Sequence, residues 1–211
     1  MLSLLSQRNF LLLWLAHTVS ILGDYVFFIA MTFWVYARTG SSVATSAILI
    51  ASGGPIALLA PLAGKAVDRW SRRHIMLVAE GTRATLFLAL LAFLVIWPAN
   101  LWPLYVVGFA QSVCAAFFWP ARSATLPQLV PAPSLLPANA LYQLSDGVVR
   151  VCAPTLASAV LLFLGAPGVT AFDALTFLVS AGCIAMLTTL TLYPTGISSA
   201  EERTPTTMEN T

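Results

Sequence analysis

The sequence predicts an all-α fold, a polytopic membrane protein of six transmembrane helices, and three observations predict it. Of its 211 residues 59% are hydrophobic and 9% charged, and the mean hydropathy is +0.87. A soluble chain of this length needs far more polar surface to cover its core. Apolar runs of about 20 residues, the length that crosses a bilayer as helix, recur six times. The few charges are scattered except for one dense cluster, Lys65, Asp68, Arg69, Arg72 and Arg73, in the short gap between two of these runs.

The first run, 10–36, follows Arg8. It is too long for a signal peptide's apolar core and has no small-residue cleavage site, so it reads as an uncleaved span. The others are 43–67, 75–97, 101–119, 139–164 and 169–192. Unbroken apolar runs mean helices, because only helices and closed barrels satisfy their backbone groups in hydrocarbon. Brief Gly-, Pro-, Ser- or Asn-bearing turns at 38–42, 98–100 and 165–168 make consecutive spans antiparallel neighbours. The stretch 120–137 holds five of the thirteen prolines. It reads as a broken connection, with Ser134 capping a short helical turn before the fifth span. Residues 1–9 form a short amino-terminal segment, 10–193 the bundle, and 194–211 a polar tail without apolar period, expected to be disordered.

Orientation follows from basic residues. Arg8, Lys65, Arg69, Arg72, Arg73, Arg122 and Arg203 fall on one side and Arg38 on the other, which places both termini in the cytoplasm of a cell (inner) membrane protein. Trp34, Tyr36, Trp97, Trp102 and Tyr105 fall near the outer ends, and Trp70, Trp119 and Tyr193 near the inner ones, as interfacial belts do. A net charge of +2 without a basic patch argues against nucleic acid as a partner. Cys114, Cys152 and Cys183 lie inside apolar runs and read as small buried hydrophobes, with neither disulfide nor metal-site spacing. No zinc-ligand spacing, nucleophile elbow or phosphate loop points to an enzyme, a metal or a cofactor.

The segment Gly64-Lys65-Ala66-Val67-Asp68-Arg69-Trp70-Ser71-Arg72-Arg73 resembles the signature between helices 2 and 3 of the major facilitator superfamily of transporters. Other segments resemble its drug and siderophore exporters, the branch with macrolide efflux pumps and the enterobactin exporter. They are Ser20-Ile21-Leu22-Gly23-Asp24, Gly54-Pro55 through Pro61-Leu62-Ala63-Gly64, Phe118-Trp119-Pro120-Ala121-Arg122, and Phe172-Asp173-Ala174-Leu175-Thr176-Phe177. In helix five the branch's Gly-Pro-x-x-Gly-Gly is replaced by Ala153-Pro154-Thr155-Leu156-Ala157-Ser158, whose small residues still permit close helix packing. Helix four lacks the embedded Arg of many proton-coupled relatives. The resemblance implies one half of a fold built from two six-helix units, with substrate held between them. It leaves a truncated or split transporter, or a half-size unit that pairs with a second half or a copy of itself.

Ionisable residues at membrane depth are candidate sites by default. Asp24, midway between Arg8 and Arg38, reads either as a carboxyl coupling proton entry to export or as a packed, hydrogen-bonded group. Asp146 and Arg150, four apart, either neutralise each other or line the substrate cavity. Glu80 and Arg83, three apart, read as an ion pair roughly 9–12 Å in from the cytoplasmic end, near an inner gate to which Arg122 also belongs. Asp173 reads as solvated at the outer interface, and His17 as a packed residue. Gly64 is expected to let the second span pack closely, Asp68 to pair with Arg72, and Arg69 and Arg73 to face headgroups or cytosol. The resemblance makes this turn a cytoplasmic gate; a topology anchor is the plainer reading. With these residues, the resemblance implies proton-coupled efflux of drugs, macrolides or other amphiphilic small molecules by alternating access. A non-transporting membrane partner, or an inert fragment assembling with another subunit, is the alternative.

Overall fold

A computed structural model describes residues 2–188. The polar tail 194–211, Tyr193 and the end of the last predicted span lie outside the described residues. Within them the chain is helical, in the order α1 (Leu2–Leu5), α2 (Arg8–Thr39), α3 (Ser42–Arg69), α4 (Arg72–Ile96), α5 (Trp102–Leu129), a 3₁₀ turn (Ala132–Ser134) and α6 (Leu135–Ala185). Among the described residues five helices are long and apolar enough to cross a membrane. Turn chemistry sets the boundaries. Gly40 closes α2 in the left-handed region, and Ser41 and Ser71 accept the Ala44 and His74 amides at the starts of α3 and α4.

Helix α6 has 51 residues, about 76 Å if straight, more than twice the bilayer's hydrocarbon thickness. It is not straight. Gly165, at φ 68° and ψ −172°, breaks it in a conformation that a Cβ disfavours. The first arm runs parallel to α2: Tyr142 stacks edge-on with Phe10, Asp146 meets His17, and Ala157 and Leu161 share a groove with Ala30 and Phe33. The second arm returns, since Thr176 lies against Gly23 and Thr188 bonds Asn9 at 3.0 Å. The turn expected at 165–168 is therefore a single non-helical residue, with helix resuming at once.

Helix α5 corrects the reading of 120–137 as a broken connection. It continues through Pro120 and Pro127 to Leu129. Proline is tolerated inside such helices because neighbouring side chains and local adjustment re-satisfy the freed carbonyls. Ser134 stands at the start of α6 but makes no side-chain cap. The extension also moves Trp119 from the interface into the bundle, edge-on to His17 at 5.3 Å.

The interior has three levels. One apolar cluster holds Phe27, Phe87 and Phe177, whose rings meet edge-to-face at 4.6 and 5.1 Å. A second, toward the Arg72/Arg73 end, holds Phe10, Met76, Phe118 and Ile184. Between them α2, α4, α5 and α6 contribute polar side chains. On α2 the clusters part at His17 and Ser20, on α4 at Glu80 and Arg83, on α5 at Gln111 and Ser112, and on α6 at Ser145 and Ser180. Helix α3 packs chiefly on α5 and is the least buried, with Leu58 79% and Ile50 71% exposed. The cysteines are less enclosed than expected: Cys152 is exposed, and Cys114 and Cys183 are half-buried.

A charged polar layer lining a cavity

Arg83 organises the layer. It lies within a residue of the midpoint of α4 and is 2% exposed. Its Nη1 is 3.4 Å from Glu80 Oε1 and 3.7 Å from Asp24 Oδ2, and it donates to Ser20 Oγ at 3.4 Å. Ser20 in turn lies 3.3 and 3.4 Å from the two Glu80 carboxylate oxygens. The guanidinium sits over the rings of Phe177 (5.1 Å) and Phe118 (5.8 Å), which exclude water while favouring the cation. Asp24, at the midpoint of α2, also accepts a hydrogen bond from the Gln111 amide on α5. Glu80 and Arg83 thus form the expected pair, in the middle part of α4 and shared with Asp24.

A second node joins α2 to the first arm of α6. His17 Nε2 and Asp146 Oδ1 are 2.7 Å apart, and the imidazole is edge-on to Trp119 and Tyr142. Asp146 therefore pairs with His17 and forms no ion pair with Arg150, whose guanidinium lies 5.8 Å from the Tyr25 ring. The ion pair expected of Arg122 is not found among the described residues. Its guanidinium stacks on Tyr142 (4.5 Å) and Trp119 (5.1 Å).

Both nodes open on one cavity of about 500 Å³, walled by α2, α3, α4, α5 and the first arm of α6. Asp24, Arg83, Asp146 and Arg150 supply charge, Gln111 and Gln143 supply amides, and Tyr25, Phe28, Leu49 and Trp119 supply apolar surface. A mostly apolar wall with a few convergent polar groups is the chemistry of a small-molecule site. The expected grouping of Asp24, Asp146 and Arg150 is present.

The turn between α3 and α4 differs from expectation in detail. Arg72 donates to Ala124 O on α5 at 2.7 Å, and Arg73 to Ile184 O at 3.3 Å and to Ala185 O on α6. Neither arginine simply faces solvent: each ties the start of α4 to a neighbouring helix, and Arg73 satisfies end-of-helix carbonyls where a cation suits the dipole. Arg69 is exposed as expected. The Asp68 side chain lies outside the described part of the structure. Gly64 is not a packing contact, since a Cβ there would meet nothing within 4 Å. On the fifth predicted span Ala153 is fully buried against the core, whereas Pro154 is exposed, so only the alanine packs helix to helix.

Three functional candidates escape the sequence reading. Gln111 carried a signal, a lone amide inside an apolar run. The pairing of His17 with Asp146 carried none, because the two are 129 positions apart. Asp173 was assigned to the outer interface, yet it is fully buried.

The family model of the major facilitator superfamily matches residues 13–209. The chain belongs to that superfamily. It is a multi-pass membrane protein of all-helical fold. Among curated relatives, the uncharacterized MFS-type transporter YfiS of Bacillus subtilis is 26% identical over 83% of this chain and 41% of its own length. Macrolide efflux protein A of Streptococcus pyogenes is 28% identical over 72% of this chain and 38% of its own. The MFS-type transporter YvqJ of Bacillus subtilis is 28% identical over 92% and 46%. The chain thus spans less than half the length of these relatives. No solved structure matches it.

Proposed function

We propose that this chain is one six-span unit of a proton-coupled exporter of amphiphilic small molecules, macrolides among them, working by alternating access. The two arms of α6 count as the fifth and sixth spans, and the basic ends of the helices face the cytoplasm of the cell (inner) membrane. The observation that carries the reading is the Asp24–Arg83–Glu80 cluster on the wall of the cavity. Charges at membrane depth are costly unless they are paired or serve an ion pathway. A carboxylate that is both ion-paired and cavity-facing can exchange a proton with the cavity, and its charge then decides whether Arg83 is free to meet another anion.

The unfilled faces of α3 and the first arm of α6, with Leu58 79% and Val151 78% exposed, support a second six-span unit, another chain or a copy of this one, closing the cavity. Rocking of the two units would expose the site to each side in turn. The likeness to macrolide efflux protein A supports the substrate class. The test is transport of a macrolide and of a fluorescent amphiphile in proteoliposomes under an imposed proton gradient. Asp24→Asn should abolish gradient-driven movement with insertion intact. Unchanged transport by that variant removes Asp24 from coupling, and a gradient without effect on the unmodified protein removes proton coupling altogether.

A further inference from the structure

Asp173, on the second arm of α6, is placed where a carboxylate is hardest to keep. It is 0% exposed, and its neighbours along the helix, Val169, Ala174 and Phe177, belong to the apolar cluster. Its Oδ2 is buried without a hydrogen-bond partner, and among the described residues no cation lies within ion-pair distance. The Thr176 hydroxyl donates to the Asp173 backbone carbonyl at 2.7 Å and lies 3.1 Å from its Oδ1. From α2 the group faces Gly23, where a Cβ would overlap both Asp173 Oδ1 and Thr176 Oγ1. The charged groups within electrostatic reach are Asp24 on α2 and Glu80 and Arg83 on α4.

The charge balance is uneven. Three carboxyl groups surround one guanidinium, and Arg83 is already engaged by two of them, Asp24 and Glu80. A third carboxylate, lacking a cation and with an oxygen lacking a donor, would be strongly destabilised in this surrounding. A carboxylic acid there is neutral and costs far less. We infer that Asp173 is an occluded proton site: it holds a proton in this conformation and exchanges it only when the second arm of α6 parts from α2 at Gly23.

In that step the O–H bond of Asp173 breaks and the proton passes to water admitted between the two helices. The electron pair stays on the carboxylate, and Arg83 is the cation within electrostatic reach among the described residues. Because Gly23 adjoins Asp24, the motion that uncovers Asp173 also shifts the cavity-facing carboxyl. The protein would then hold two proton sites around one arginine, one open to the cavity and one closed. A role in coupling rests on the proton-driven reading above; the presence of the proton does not.

Infrared spectroscopy of the purified full chain in lipid at neutral pH, with the aspartate carboxyl carbon isotopically labelled, reads the proton directly. The expected result is a label-sensitive carboxylic-acid C=O band that resists brief exposure to heavy water, is lost in Asp173→Asn and is kept in Asp24→Asn. Thr176→Val, which keeps the side-chain shape and removes the hydroxyl, should shift that band, so a poorly folding Asp173→Asn leaves the assignment testable. Absence of a slowly exchanging aspartic-acid band, or its loss in Asp24→Asn and survival in Asp173→Asn, overturns the inference. Failure of proton-driven transport with the band intact would sink the proposed function alone.

Discussion

Replacing Arg83 by Met keeps much of the side-chain volume and removes the one cation of the buried cluster. Glu80, 0% exposed, then loses its partner at 3.4 Å, and Asp24 loses its partner at 3.7 Å. Removing one member of a buried ion pair typically costs about 3–5 kcal/mol, because the other charge is left uncompensated. Stacking on Phe177 and Phe118 disappears as well, adding roughly 0.5–2 kcal/mol where the cation is desolvated. Glu80→Gln alone should cost less, about 1–3 kcal/mol, since Arg83 keeps Asp24. The informative quantity is the double variant. In the double variant Glu80 no longer leaves an uncompensated carboxylate and only Asp24 lacks its cation, so the combined loss should fall short of the sum by about 1–3 kcal/mol. Unfolding in mixed micelles, followed by the fluorescence of half-buried Trp14, which donates to Ser145 Oγ, and Trp119, measures all three variants. Strict additivity, within about 0.5 kcal/mol, would refute the pairing on which the polar layer depends.

Gly23→Ala should destabilise by about 1–3 kcal/mol through overpacking against Thr176 and Asp173, only partly offset by alanine's helix preference of about 1 kcal/mol. Gly64→Ala, with nothing within 4 Å, should be neutral or stabilising by up to about 1 kcal/mol in the same unfolding assay. Arg73→Ala should free the Ile184 and Ala185 carbonyls and cost about 1 kcal/mol, seen as faster amide exchange at the end of α6 and none at Gly165. His17→Ala should cost about 2–4 kcal/mol, from the lost Asp146 partner and the hole left between Trp119 and Tyr142. A loss below about 1 kcal/mol would show that this node is not structural.

What the sequence made legible was whatever a linear pattern encodes. The predicted runs 10–36, 43–67 and 75–97 lie within α2, α3 and α4 to within a residue, because charges and capping residues bound those helices sharply. Helix α5 was read ten residues short because proline was weighed as it acts in water, where a lost backbone bond ends a helix. That error carried Trp119 and Arg122 to the surface. The depth of Asp173 was partly legible: eight residues past Gly165 is about 12 Å of helix, well inside the hydrocarbon. Its burial was not, since it depends on Gly23 meeting the returning arm. Asp24, Asp146 and Arg150 were recognisable one at a time as charges within apolar runs. Their partners, His17, Gln111 and the Tyr25 ring, are choices of tertiary packing.

Helix α2 explains why one layer carries so much of the chemistry. Along an otherwise apolar helix, His17, Ser20 and Asp24 recur at intervals of three and four, the spacing that puts them on one stripe. The stripe meets three helices in about two turns. His17 meets the first arm of α6, Ser20 meets α4, and Asp24 meets α4 and α5 together. Seven residues of helix hold these contacts within about 10 Å of rise, so α2 cannot turn or slide by a small amount without disturbing all of them. Gly23 presses the neighbouring face of the same turn onto the second arm of α6. The apolar clusters above and below tolerate sliding far better, since dispersion contacts have no preferred partner, whereas each polar contact is lost outright when its geometry is. A change of charge at Asp24 is therefore felt first as a change in where α2 sits, and every other helix lining the cavity except α3 is bonded to that position.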